Sequence, residues 1–149
     1  MPTTGESTRD TAAVESTNTA CARAIGVAGA ALIGASLLGG VASVLAGTNT
    51  WANAWAADAT LAAPWPMLLV QTAGTFAAIS RRRWVARAGS TVLGLTAAVA
   101  GISGFFDGQL GRADLSTWHV VAQVGYVVIA CGAAVVAALR LWELRSPIS

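Results

Sequence analysis

Four stretches of this chain carry almost no charge, over residues 24–46, 62–80, 88–106 and 117–139, and polar or turn-forming segments separate them. A helix rises about 1.5 Å per residue, so roughly 20 apolar residues cover the ~30 Å hydrocarbon layer of a bilayer. Each stretch therefore predicts a membrane-spanning helix, and the pattern as a whole predicts an all-α integral membrane bundle of four spans. The second is the shortest. Its apolar core begins at Trp65 and reaches full length only by taking in Pro64 and Pro66, which a first helical turn tolerates because its N–H groups have no partner there.

Outside the spans, residues 1–22 are rich in Thr, Ser, Ala and acidic side chains with no apolar period, which predicts a disordered polar tail. The domain pattern is then a tail over 1–22, a membrane domain over 23–145 and a short tail over 146–149. A cleaved secretory signal fits less well, because the first apolar run is about 23 residues long against the 7 to 15 of a signal.

Direction follows from the arginines. With four spans, Arg9, Arg23, Arg81, Arg82, Arg83, Arg87, Arg140 and Arg145 share one side, and only Arg112 falls on the other. Short cytoplasmic loops hold the excess of positive charge, so both termini are expected in the cytoplasm. The six tryptophans agree with this layering. Trp51, Trp55, Trp65 and Trp118 fall at the outer interface and Trp84 and Trp142 at the inner one, where amphipathic rings anchor at headgroup level. The spacing of Trp51 and Trp55 fits either a short surface helix or an irregular loop.

Within the spans, small residues recur at intervals of four. Ala22, Gly26, Ala30 and Gly34 form one series in the first span, Ala31, Ala35, Gly39, Ser43 and Gly47 a second, and Ser90, Gly94 and Ala98 a third. Helices in lipid associate through such close backbone approach rather than through hydrophobicity. These series serve either internal packing or a second membrane protein, including another copy of this chain. In the fourth span Val120, Val124, Val127, Val128 and Val135 gather largely on one side, facing lipid. His119, Gln123, Tyr126, Ala130 and Ala133 lie on the other, facing the bundle.

Composition sharpens the class. Hydrophobic residues make up 55% of the 149 and charged residues only 11%, with a mean hydropathy of +0.63. All nine basic residues are arginine, and with the heavy use of Ala, Gly and Val this points to a GC-rich bacterial source and a cytoplasmic membrane. The arginines cap apolar runs instead of lining a solvated face, which excludes a nucleic-acid surface. The lipid bilayer is the one partner the composition demands.

The candidate chemistry is sparse. Gln71, Thr75, His119, Gln123 and Tyr126 form the single polar cluster on offer, with Asp107 and Asp114 at its outer rim. The expectation is that Gln71 and Gln123 meet across the bundle in the outer leaflet. Intramembrane polar groups mark ligand paths or act as hydrogen-bonding glue between helices. Arg81, Arg82, Arg83 and Arg87 set topology first and offer a surface to anionic headgroups second.

No acidic residue lies within a predicted span, which removes proton-coupled transport built on an embedded glutamate. The lone histidine leaves no metal site and no bis-histidine haem, and no cofactor is implied. Span serines have no adjacent base for nucleophilic catalysis. Cys21 and Cys131 lie too far apart along the membrane normal for a disulfide and read as small apolar fillers. Three functions stay open. The first is a non-enzymatic accessory or scaffold subunit, the second an outward-facing pocket for a small polar molecule, and the third a quinone-linked redox protein using His119 and Tyr126.

Overall fold

In the computed structural model of this chain, the backbone is described for residues 4–56, 62–106 and 117–145, and side chains from residue 19 onward within those segments. Among the described residues there are four helices and no strand: α1 (Thr4–Leu45), α2 (Trp65–Ala78), α3 (Arg83–Phe106) and α4 (Thr117–Arg145). Three of them, Thr19–Leu45 within α1 together with α3 and α4, are long and apolar enough to cross a membrane. The chain is thus a multi-pass helical membrane protein in its coarse class.

Each helix packs on its two neighbours in chain order, and α4 returns to α1. The α1–α3 diagonal is slight, and α2 and α4 do not touch. Cys21, the Ser80–Arg83 turn and Leu144 share one end, as contacts of Cys21 with Glu143 and of Arg83 with Leu144 show. The turn after α1 and the start of α2 share the other, where the Trp65 N–H donates to the Trp55 carbonyl at 3.0 Å. These are called the arginine end and the tryptophan end.

Several expectations change. The backbone of α1 is helical from Thr4, where an irregular tail was expected. Extending an existing helix fixes one residue per hydrogen bond and avoids the nucleation cost, so a polar segment joined to a stable apolar helix can continue it. The second helix covers 14 residues rather than 62–80. Pro64 has φ −57° and ψ 150°, an extended conformation outside the helix, and Pro66 takes its place in the first turn. At about 21 Å, α2 still runs between the two ends.

The small-residue series of α1 do not mark its contact face. The buried positions are Ile25, Gly29, Leu32, Ser36, Gly40 and Ser43, spaced four, three, four, four and three. Strict steps of four drift by about 40° each on a helix of 3.6 residues per turn, so a longer series leaves the face it began on. Gly26 accordingly packs near Ile79, whereas Gly34 faces open space. On α4, His119, Gln123, Ala130 and Ala133 are buried as the stripe predicts, and most of the valines are outside. Val127 is the departure: it is buried, and fills the space left by Gly104 of α3.

At Gly89, α2 and α3 approach to backbone contact. A Cβ on Gly89 would overlap the Ala78 backbone nitrogen, so only glycine allows this separation. With no hydrophobic drive between helices in lipid, dispersion across such a contact is a main source of cohesion.

Candidate functional site

The five polar residues expected as a cluster are all buried or half-buried, but they fall into two groups. His119, in the first turn of α4, is 4% exposed, and Gln123, one turn on, is 3% exposed. The Gln123 Nε2 donates to the Gly104 carbonyl at 3.1 Å. That carbonyl lies in the last turn of α3, where backbone oxygens have no partner within the helix, so the amide ties α4 to the end of α3. Tyr126 meets α1: the Ser36 hydroxyl donates to its oxygen at 3.4 Å.

Gln71 and Thr75 form the other group, on α2. The Thr75 hydroxyl donates back to the Gln71 carbonyl at 2.7 Å, a bond within its own helix. Gln71 has no exposed surface, and neither its Oε1 nor its Nε2 bonds to any described residue. The expected meeting of Gln71 with Gln123 therefore does not occur. Their helices sit diagonally and do not touch, because the chain-order ring puts α1 and α3 between them. Thr75 lies against Gly29, which sets Gln71 about one turn deeper than the Ser36–Tyr126 contact. Asp107 and Asp114, the expected rim, lie outside the described residues.

The tryptophans divide as well. Trp51, Trp65, Trp84, Trp118 and Trp142 are exposed. Trp55 turns inward instead, filling the space above Gly40 and packing tilted against Trp65, with ring centroids 5.7 Å apart at 43°. Residues 51–56 form turns and no helix.

The arginine end holds the most developed electrostatics. The Leu144 carbonyl, in the last turn of α4, accepts from Arg83 Nε and Nη2 at 3.0 and 2.7 Å, and from Arg87 Nε at 3.1 Å and Nη2. Two cations at the negative end of the helix dipole satisfy an oxygen that the helix itself leaves open. Beside them, buried Arg140 pairs with Glu143 at 3.4 Å, and the Glu143 Oε1 accepts from the Cys21 thiol at 2.8 Å. Cys21 is therefore a donor linking α1 to α4 and no mere filler. The guanidiniums of Arg81 and Arg82 are exposed and bond to no described residue.

These contacts escaped the sequence pattern, although two signals for them were present. Arg83 and Arg87 are four apart and so share a helix face, and Arg140 and Glu143 are three apart with opposite charge. What the spacing lacks is the level of the α4 terminus against α3.

Among the described residues, no group of three His, Cys, Asp or Glu side chains is placed to hold a metal ion. No family model matches this chain, and no curated protein or solved structure matches it either.

Proposed function

We propose that this chain crosses the bacterial cytoplasmic membrane four times, with both termini and the Arg81–Arg83 turn in the cytoplasm, and acts without catalysis as an interaction subunit or small scaffold. The gathering of the Arg81–Arg87 segment with Arg140 and Arg145 at one end supports the direction, since cytoplasmic flanks carry the excess of arginine. The end-to-end run of α2 supports a fourth crossing. Its shortness is absorbed by local thinning of the bilayer and by flanking polar residues, at a fraction of a kcal/mol per Å of mismatch.

The observation that carries the interaction reading is the outward pair Gly125 and Gly132 on α4. Seven residues apart, they share a helix face. Both are exposed, and a Cβ at either would meet no atom within 4 Å. Nothing among the described residues requires glycine there, in contrast to Gly89, where backbone contact does. A groove of this kind lets the backbone of a second membrane helix approach.

The test is purification of the full chain in mild detergent, beside a Gly125→Leu, Gly132→Leu variant. A dimer or a co-purifying membrane protein that is lost in the variant is the expected result. A strictly monomeric particle with no companion counts against the proposal.

A second reading, an outward-facing pocket for a small polar molecule, is favoured by Gln71. A fully buried amide without a bonding partner costs on the order of 1–3 kcal/mol, a cost that a polar ligand offsets. Replacing Gln71 by leucine should then abolish solute uptake that depends on the intact chain. Unchanged uptake in this variant sinks it.

A further inference from the structure

We propose that the outer side of the α3–α4 seam, at the arginine end, binds the phosphate of an anionic phospholipid headgroup. The sequence repeats one short pattern at this level: Trp84-Val85-Ala86-Arg87 opens α3, and Trp142-Glu143-Leu144-Arg145 closes α4. In each, a ring and a guanidinium three residues apart lie on neighbouring positions of one helix face. The bonds from Arg87 to the Leu144 carbonyl bring the two patterns to the same height on antiparallel helices.

Register also puts Trp142 and Arg87 on the seam. Trp142 lies eleven residues, close to three turns, beyond Cys131, which sits against Gly101 of α3. Arg87 lies seven residues before Gly94, which faces Ala137 of α4. Both rings are outside the packing, Trp84 at 70% and Trp142 at 75% exposure, and Arg87 and Arg145 are exposed beside them.

Charge supplies the demand. A guanidinium has five N–H donors, and Arg87 places only Nε and one Nη on Leu144. Arg81, Arg82 and Arg145 bond to no described residue. Among the described residues, the carboxylate at this end is that of Glu143, which is engaged by Arg140 and Cys21. Four exposed guanidiniums with open donors thus belong to this end of α3 and α4, where a phosphodiester offers the matching acceptor.

The surroundings select a lipid over a free anion. Leu95, three turns along α3 from Trp84, and Leu139, one turn back from Trp142, are exposed below the two rings. They offer an apolar track for acyl chains that inorganic phosphate would not use. The inference rests on this end lying at headgroup level, and is independent of any protein partner.

The experiment is native mass spectrometry of the full chain in mild detergent, with an equal mixture of dioleoyl phosphatidylglycerol and dioleoyl phosphatidylcholine. The expected result is preferential retention of phosphatidylglycerol. Retention should fall about fivefold for each charge removed in Arg145→Gln and in the Arg81→Gln, Arg82→Gln double variant. Both variants leave the Arg83 and Arg87 contacts with Leu144 in place, so an unchanged melting temperature separates loss of binding from loss of fold. Equal retention of the two lipids, or unchanged retention in these variants, overturns the site. Displacement of phosphatidylglycerol by millimolar inorganic phosphate overturns the lipid assignment in favour of a free-anion site.

Discussion

At the arginine end, α4 finishes on side chains borrowed from α3, whereas at the tryptophan end α1 finishes on its own backbone. Arg83 and Arg87 reach across to the Leu144 carbonyl. In α1 the Thr48 N–H returns to the Ser43 carbonyl at 3.0 Å and the Gly47 N–H to Val44 at 3.0 Å, with Gly47 at φ +73°. That is the Schellman arrangement, and its left-handed residue favours glycine. One helix end thus depends on tertiary contact and charge, the other on local geometry. The packing beyond each cap differs in the same sense, with an ion pair and a thiol–carboxylate bond at one end and two indoles in tilted contact at the other. The arginine end should respond to charge removal, the tryptophan end to changes of shape.

The largest effect is expected from Gly40→Leu, which drives a branched side chain into the Trp55 ring. Overpacking of this kind costs about 3 kcal/mol. Thermal unfolding in detergent should show that loss. If the Trp55–Trp65 pair is not a structural element of this end, the melting temperature will hardly move.

Glu143→Leu comes next. It removes the ion partner of buried Arg140 and the acceptor for Cys21 together. The expected loss is about 2 kcal/mol, below that of a fully buried pair because Glu143 keeps 29% exposure. Glu143→Gln, which keeps an acceptor for the thiol, should recover part of it. Equal losses in the two variants would show that the thiol bond contributes nothing.

Gly47→Ala tests the local cap and should cost about 1 kcal/mol, the penalty for an L residue in the left-handed region. The loss should be independent of salt. Arg87→Gln is the smallest, below about 1 kcal/mol, because Arg83 still serves the Leu144 carbonyl. Its melting difference should shrink as salt rises, since the interaction is partly exposed and screened. A salt-dependent Gly47→Ala and a salt-independent Arg87→Gln would reverse the contrast between the ends.

Much of this was legible beforehand, because period and composition act locally. Three apolar runs long enough to cross and the buried stripe of His119, Gln123, Ala130 and Ala133 follow from hydropathy and a 3.6-residue turn alone. The series Ala22, Gly26, Ala30 and Gly34 does not trace the internal contact face, because spacing by four approximates a face only over short distances. Val127 was misassigned because its apolar side chain suits lipid and protein interior equally, and the space left by Gly104 decided between them. The Gln71–Gln123 pairing failed for a different reason. Depth along the chain says nothing about which helices are neighbours.

The sequence by itself determined which segments are apolar enough to leave water and where glycine and proline end them, since each of those is a property of a few consecutive residues. Tertiary structure alone decided that α2 and α4 stand apart, that Gln71 is left without a bonding partner among the described residues, and that Leu144 meets Arg83 and Arg87. Those outcomes depend on the order of helices around the ring and on their relative heights. Both are set by backbone contacts such as Gly89 with Ala78, between residues too far apart in the chain for any local pattern to encode.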